Sequence, residues 1–297
     1  MSSPPIQWYP GHIAKAERAL LEQIKRVDVV LEVRDARAPL ATHHPSVDRW
    51  IGEKARVLVL NRVDMIAPVA QQQWQTWFKA RGQTVYFTNA KQGRGVKSVL
   101  TAAQRTGQAM NERRRQRGMR PRPVRAVVIG FPNVGKSALI NRLLKRKVVA
   151  SERRPGVTRQ LRWVRISDEI ELLDAPGIIP VQLEDQAAAL KLAICEDIGE
   201  ASYDNQRIAA AFVDLLKQLN AKATDIEMLK PLCDRYHIDP APVSGETYLV
   251  QVAEANHKGD VERTARQLLH NFRKGDLGEL PLEFPPDLGN GELGHRE

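Results

Sequence analysis

The sequence predicts an α/β fold, a mostly parallel sheet with helices on both faces, followed by a small all-α domain. Three observations carry this expectation. Short apolar runs ("VDVVLEVRD", "ARVLVLN", "TVYFT", "VRAVVIG") alternate with stretches of helical spacing. Such runs are nearly continuous rather than alternating, as strands buried on both faces require. From about residue 185 the runs stop, and patterns such as "QRIAAAFVDLLKQLN" place Ile208, Phe212, Leu215, Leu216 and Leu219 on one helical face.

Taken in order, residues 13–26 have helical spacing, and 27–35 and 55–61 read as strands. "QQQWQTWFKARG" reads as a helix ended by Gly82, before a strand at 84–88. Residues 96–119 are helical and become strongly basic (Arg105, Arg113, Arg114, Arg115, Arg117, with Arg120 and Arg122 beyond) until Pro121 and Pro123 break the pattern. The stretch 105–123 therefore reads as a connector. A strand at 124–130 follows, then strands at 161–166 and 169–174 joined by the turn Ser167-Asp168. The expected organisation is one domain over 1–184, a helical domain over 185–274, and a Gly-, Pro- and acid-rich tail over 275–297 that is extended or mobile.

The chain has 297 residues and a formal net charge of +10, which favours an anionic partner. Aromatic residues make up only 5%, which argues against a platform for stacking single-stranded bases as its main business. Cys195 and Cys233 have no metal-ligand spacing and read as free thiols of a reducing compartment. No apolar run reaches transmembrane length, and the N-terminus has no basic-then-apolar signal pattern, so no membrane association and a cytoplasmic location are expected.

The most specific motif is Gly130-x-x-x-x-Gly135-Lys136-Ser137, in "GFPNVGKSA", placed between a strand and a helix. Backbone N–H groups around Gly130, Pro132, Asn133, Val134, Gly135 and Ala138 would cradle phosphates at a helix N-terminus. Lys136 would reach the β- and γ-phosphates, and Ser137 would bind Mg²⁺. Downstream, Asp174-Ala-Pro-Gly177 ends a strand. There Asp174 would hold the Mg²⁺ water shell and the N–H of Gly177 would meet a γ-phosphate. Between the two, Thr158 in "RRPGVTRQ" would complete the metal shell.

Upstream, "LVLNRVD" ends a strand with Asn61, Arg62, Val63 and Asp64. A carboxylate at Asp64 can accept from the N1–H and 2-amino groups of guanine, donors that adenine lacks. Asn61 would bond the other edge of the base, and the stem and planar guanidinium of Arg62 would cover its face where a lysine is usual. "FTNAK" ends another strand. It supplies Thr88, Asn89, Ala90 and Lys91 as a second base-contacting loop, with backbone N–H groups facing the guanine oxygen.

These motifs stand in an unusual order, base-reading pair first and phosphate loop second, and in that order they resemble a circularly permuted GTPase. The 105–123 connector would join the old termini. "WYPGHIAKA" (8–16), "DVVLEVRDARAPL" (28–40), "GFPNVGKSALIN" (130–141) and "FRKGDLGELPLE" (272–283) are similar to the YlqF/RbgA family of ribosome-biogenesis GTPases, which has mitochondrial relatives. The resemblance implies a GTPase domain with GTP as substrate and Mg²⁺ as cofactor. It also implies a C-terminal RNA-binding domain and a role in late maturation of the large ribosomal subunit, whose rRNA would be the partner of a monomer. Ile178 and Ile179 follow the Asp-x-x-Gly motif, and neither can polarise water as a glutamine would. The resemblance suggests His12 as the catalytic group and Asn133 as a ligand for K⁺. Clustered basic residues (the connector arginines, Arg142, Lys145, Arg146, Lys147, Arg153, Arg154, Arg159, Arg162, Arg165) favour contact with RNA phosphates. A P-loop kinase, or an RNA-binding module in which GTP is not hydrolysed, is the alternative. If His12 orients the attacking water, His12→Ala will slow turnover stimulated by ribosomal particles while GTP affinity holds. Unchanged turnover would remove that role.

Overall fold

The computed structural model describes residues 20–144, 162–167, 169–174, 185–198, 203–223 and 225–286. The chain divides into two compact units, one of residues 1–63 and 84–204 and the other of residues 64–83 and 205–297.

The first unit is built on a six-stranded sheet. Its elements are β1 (Val29–Asp35), α1 (Val47–Ile51), β2 (Ala55–Asn61), then β3 (Val85–Thr88), α3 (Val96–Gln116), β4 (Val124–Ile129), α4 (Lys136–Leu143), β5 (Arg162–Ser167), β6 (Ile170–Asp174) and α5 (Gln186–Cys195); α2 (Pro68–Ala80) belongs to the second unit. The strand order is β3-β2-β1-β4-β6-β5. All neighbours are parallel except β5 and β6, which form an antiparallel pair. The chain therefore starts in the middle of the sheet, builds outward through β2 to β3, and returns by way of α3 to lay β4 on the other side of β1. This places the reversal of strand order between β1 and β4, where crevices at the carboxyl ends of parallel strands receive ligands.

The residues explain this placement. All seven residues of β1 are buried, as the centre of a two-sided sheet demands. Leu20, Ile24, Val27, Val30, Trp50, Ile51, Val127 and Ile129 pack into one core cluster on the sheet. Helix α3 buries a stripe of Val96, Val99, Ala103 and Gly107 at helical spacing. At Gly107 the helix approaches β4 so closely that a Cβ would lie 1.7 Å from Val124 Cγ2. Past that point the helix leaves the sheet, and its last turns carry Arg113, Arg114 and Arg115. Residues 96–104 and 105–116 are thus one continuous helix, and the connector begins inside it.

In the second unit, α6 (Asn205–Asn220), α8 (Gly245–His257) and α9 (Val261–Lys274) pack on one another, with α7 (Lys230–Tyr236) between α6 and α8 in sequence. Phe212 and Phe272 stack at 4.7 Å between ring centroids in its core. Ser244 caps α8 and Asp260 caps α9, each side chain accepting an orphan N–H of the first turn. The unit also takes in α2, with Trp74 and Phe78 buried.

Three parts of the organisation differ from the sequence expectation, the first being residues 64–83, expected in the first domain and grouped here with the helices of the second unit. Helix α5 belongs with the sheet, so the units divide at 204/205 rather than at 184/185; its buried Leu192, Ala193, Ile194 and Cys195 form an apolar run without an exposed face. The expected tail is not free from residue 275. Leu277, Leu280 and Leu282 are buried, and the segment groups with the second unit. Residues 287–297 lie outside those described. Gly107→Ala should destabilise the first unit by about 1–3 kcal/mol through overpacking against Val124, read as a lower denaturant midpoint. An unchanged midpoint would mean that α3 can shift off the sheet at no cost.

Candidate nucleotide site

The phosphate loop leaves β4 at the reversal point. Gly130, Asn133 and Gly135 all take positive φ, at 147°, 56° and 99°. These turns lead into α4 with Gly135 at its N-cap and no side chain capping the first N–H groups. An uncapped helix start leaves donors for an anion. Lys136 is buried, and its Nζ donates to Gly130 O at 3.2 Å and Phe131 O at 2.6 Å, closing the loop on itself. Ser137 and Ala138 follow in the first turn, half-buried. Pro132 and Val134 are buried, and the N–H of Val134 donates to Pro132 O at 2.8 Å.

Asn61 ends β2 and is buried beside this loop. Its Nδ2 donates to Val134 O at 2.9 Å. Its Oδ1 accepts from Thr88 Oγ1 and from the N–H of Ala90, both at 3.0 Å. One carboxamide thus joins the phosphate loop to the loop after β3. Gly135 makes this possible, since a Cβ there would lie 2.1 Å from Asn61 Nδ2. The sequence expects Asn61 at an edge of the base; here its carboxamide joins the two loops.

Arg62 is tied to the same loop. The residue takes φ 64°, and its Nη2 donates to Asn133 O at 2.6 Å while its Nε lies 3.4 Å from Asp35 Oδ2. The guanidinium is committed to the phosphate loop and to a buried carboxylate. Only a planar fork of donors serves both, which accounts for arginine where a lysine is usual. Val63 is buried and Asp64 exposed in the 3₁₀ turn Val63–Met65 that follows β2. Asn89 is buried in the loop after β3, where its Oδ1 accepts from Gln92 N–H at 3.0 Å; Lys91 beside it is exposed.

Asp174 ends β6, and its backbone pairs in register with Val128, two residues before Gly130. The strand therefore ends beside the phosphate loop. His12, Thr158 and Gly177 lie outside the described residues, as do Lys145, Arg146, Lys147, Arg153, Arg154 and Arg159.

Sequence reading missed a buried charge cluster beneath the loop. Asp35 is wholly buried and paired with Arg37, which donates through Nε at 3.0 Å and Nη2 at 2.7 Å. Burial pushes the carboxyl of Asp35 up, but the Arg37 and Arg62 charges outweigh it and hold it ionised. Asp197, after the end of α5, is also fully buried, and neither carboxyl oxygen has a hydrogen-bond partner among the described residues. Burial, together with the negative Asp35, raises it well above the usual carboxylate range. The neighbouring residue carries the link to the site, for Asn133 Nδ2 donates to Glu196 O at 2.5 Å. Asp35, Cys195 and Asp197 offer ligand atoms close together, but Arg37, Arg62 and Lys136 act on the same pocket and oppose a cation there. The one sequence signal for this cluster was the charged "RD-A-R" directly following an apolar strand.

A phosphate loop at the reversal point of a parallel sheet, preceded in the chain by the strand end that braces it, defines a circularly permuted P-loop GTPase fold. A family model described as "50S ribosome-binding GTPase" matches residues 125–234. Ribosome biogenesis GTPase A of Bacillus cereus is 35% identical over 294 residues, covering 96% of this chain and 95% of that protein. Its counterpart in Thermotoga maritima is 30% identical over 95% of this chain and 96% of that protein. The chain belongs to the ribosome biogenesis GTPase A family. Two solved structures of YlqF share the fold. The GDP-bound one has a TM-score of 0.65 at 23% identity, covering 91% of this chain and all of that one. The GNP-bound one, from T. maritima, has a TM-score of 0.61 at 24% identity, covering 92% and 99%.

If Asn61 is a brace, Asn61→Ala will cost about 2–4 kcal/mol, because it strands buried partners on two loops, and nucleotide affinity will fall with it. Lost affinity at an unchanged unfolding midpoint would instead return Asn61 to the base.

Proposed function

We propose that this protein is a GTP-hydrolysing assembly factor that acts on the large ribosomal subunit by binding its rRNA, in the cytoplasm and as a monomer. GTP binding and hydrolysis follow from its family. The single observation that supports the site most directly is the Asn61 bridge between the phosphate loop and the loop after β3, since it makes phosphate and base recognition one rigid construction. Among the described residues no helix is long and apolar enough to cross a membrane.

In this reading the N–H groups at the start of α4 and Lys136 hold the phosphates. Asp64 reads guanine, with Arg62 and Val63 shaping the same turn, and Thr88 to Lys91 form the second base loop. Ser137 lies in the first turn of α4, and the backbone of Asp174 lies beside β4. A hydroxyl from Ser137 and a carboxylate from Asp174 would suit a hard cation with oxygen ligands, and Thr158 would join them. Mg²⁺ held there would neutralise charge on the phosphates. Asn133 is the ligand proposed for K⁺, Gly177 the N–H donor to the γ-phosphate, and His12 the group that orients water.

RNA contact is proposed for the exposed face of α3 from its middle onward and the turn beyond it, where Arg105, Arg113, Arg117 and Arg120 are exposed and no ion pair to a described residue holds them. Glu112 pairs with Arg115, and Arg122 with Asp28, so those two are less available. Arginines without local carboxylates release counterions when they meet phosphate, which makes binding salt-dependent.

The test is sedimentation with large ribosomal subunit particles in the presence of GDP or a non-hydrolysable GTP analogue, with turnover measured on the same particles in K⁺ and in Na⁺. Tighter association with the analogue, and turnover raised by particles and by K⁺, is expected. Equal association in both states would sink the coupling of nucleotide to ribosome, and equal rates in the two salts would discard the K⁺ site.

A further inference from the structure

We propose that Arg142 is a positioning residue for base recognition: it sets the direction of the Ala90–Lys91 peptide and so aims the N–H of Lys91 at the carbonyl oxygen on C6 of a bound purine. This rests on reading residues 88–91 as a base-contacting loop.

Arg142 lies in the last turn of α4, the helix whose first turn meets the phosphates. Its side chain is exposed but bonded to the protein. Its Nε donates to Ala90 O at 3.4 Å and its Nη2 donates to Lys91 O. The guanidinium thus clasps two successive carbonyls of the loop after β3, a task suited to a planar fork and poorly met by a point charge. The loop leaves space for it, since a Cβ at Gly93 would lie 3.0 Å from Arg142 Nε.

The neighbouring N–H groups are already used. Asn89 N–H goes to Arg94 O at 3.0 Å, Ala90 N–H to Asn61 Oδ1 at 3.0 Å, Gln92 N–H to Asn89 Oδ1 at 3.0 Å and Gly93 N–H to Asn89 O at 2.7 Å. Lys91 N–H has no acceptor among the described residues. It belongs to the peptide whose carbonyl, that of Ala90, Arg142 holds. The peptide is trans, so its N–H points opposite to its C=O. A cation fixing one end therefore fixes the other. It also polarises the peptide and makes the N–H a better donor. The acceptor that such a donor selects is an oxygen on C6, present in guanine and hypoxanthine. Adenine carries an amino group there, which would bring donor against donor.

This assignment takes Arg142 out of the RNA-facing cluster in which the sequence placed it. The two roles separate in one experiment. Dissociation constants of the full chain are measured for GDP and for 6-thio-GDP, which replaces the C6 oxygen by sulfur, a weak acceptor, and keeps N1–H and the 2-amino group. The proposal expects the unaltered protein to prefer GDP. Arg142→Ala should lose up to about tenfold in GDP affinity, the worth of one hydrogen bond, while 6-thio-GDP affinity stays near its original value, so that the preference collapses. Arg142→Lys should fall between, and it carries the comparison if the alanine variant does not fold. An equal loss for both nucleotides would reduce Arg142 to a support of α4, and no loss for either would return it to RNA; each overturns the proposal. If the unaltered protein itself fails to prefer GDP, the reading of 88–91 as the base loop fails first.

Discussion

The nucleotide site depends on one buried carboxamide. Asn61 closes β2, and from there its two polar ends reach loops that belong to distant stretches of the chain, Val134 on one side and Thr88 with Ala90 on the other. Each partner is buried, so each bond is worth more in the breaking than in the making. The constraint propagates. Position 135 must be glycine because Asn61 occupies the space a side chain would fill. The next residue, Arg62, is turned by its positive φ toward the phosphate loop and Asp35. The strand end expected at the base thus holds the phosphate loop in shape.

Beneath this brace the sheet carries charge where apolar residues are expected. Glu32, Arg34 and Asp35 are all buried in the central strand. They survive there because each is paired: Glu32 accepts from Arg34 at 2.7 Å, with His43 at 3.0 Å and Arg56 beside it. Burial works against the ionised form of Glu32, but the His43 hydrogen bond and the Arg34 charge prevail and hold it at about 2. Asp197 is the exception, a buried carboxyl without a hydrogen-bond partner among the described residues, and its raised affinity for a proton is how a carboxyl tolerates such a place. The corner it occupies is gripped by Asn133 through Glu196, so the end of α5 and the phosphate loop share a joint.

Much of this was legible in the sequence. The six strands and the helices of the second unit announce themselves by apolar period, and the phosphate loop by glycine spacing between a strand and a helix. What the sequence hid was reach. Nothing local in "NRVD" says that Asn61 turns to Val134, or that Arg62 reaches Asp35. These are contacts between residues far apart in the chain, formed only once the sheet has assembled. "FRKGDLGELPLE" misled for a different reason. Its glycines and acids have the composition of a tail, while three spaced leucines are enough to seat it. Arg142 looked like one more member of a basic run because sequence shows charge and not direction.

The strand order has a further consequence, which concerns time rather than space. Ribosomes release the chain from its N-terminus, and domains assemble as they emerge. β1 pairs with β2 on one side and with β4 on the other, and β4 comes only after β2, β3 and the whole of α3. In order of synthesis, β1 to β3 are complete before β4 exists, which leaves one edge of the central strand without its partner until then. Unpaired edges invite wrong partners. GTP cannot rescue this half-made state, because the loop that grips its phosphates is still unsynthesised. In a GTPase of the usual order the phosphate loop emerges first, and nucleotide is available as a template from the start. Permutation hands that early role to the protein alone, and the charges of β1 find their partners Arg34, Arg37, Arg56 and Arg62 within the part made first, before any ligand can help.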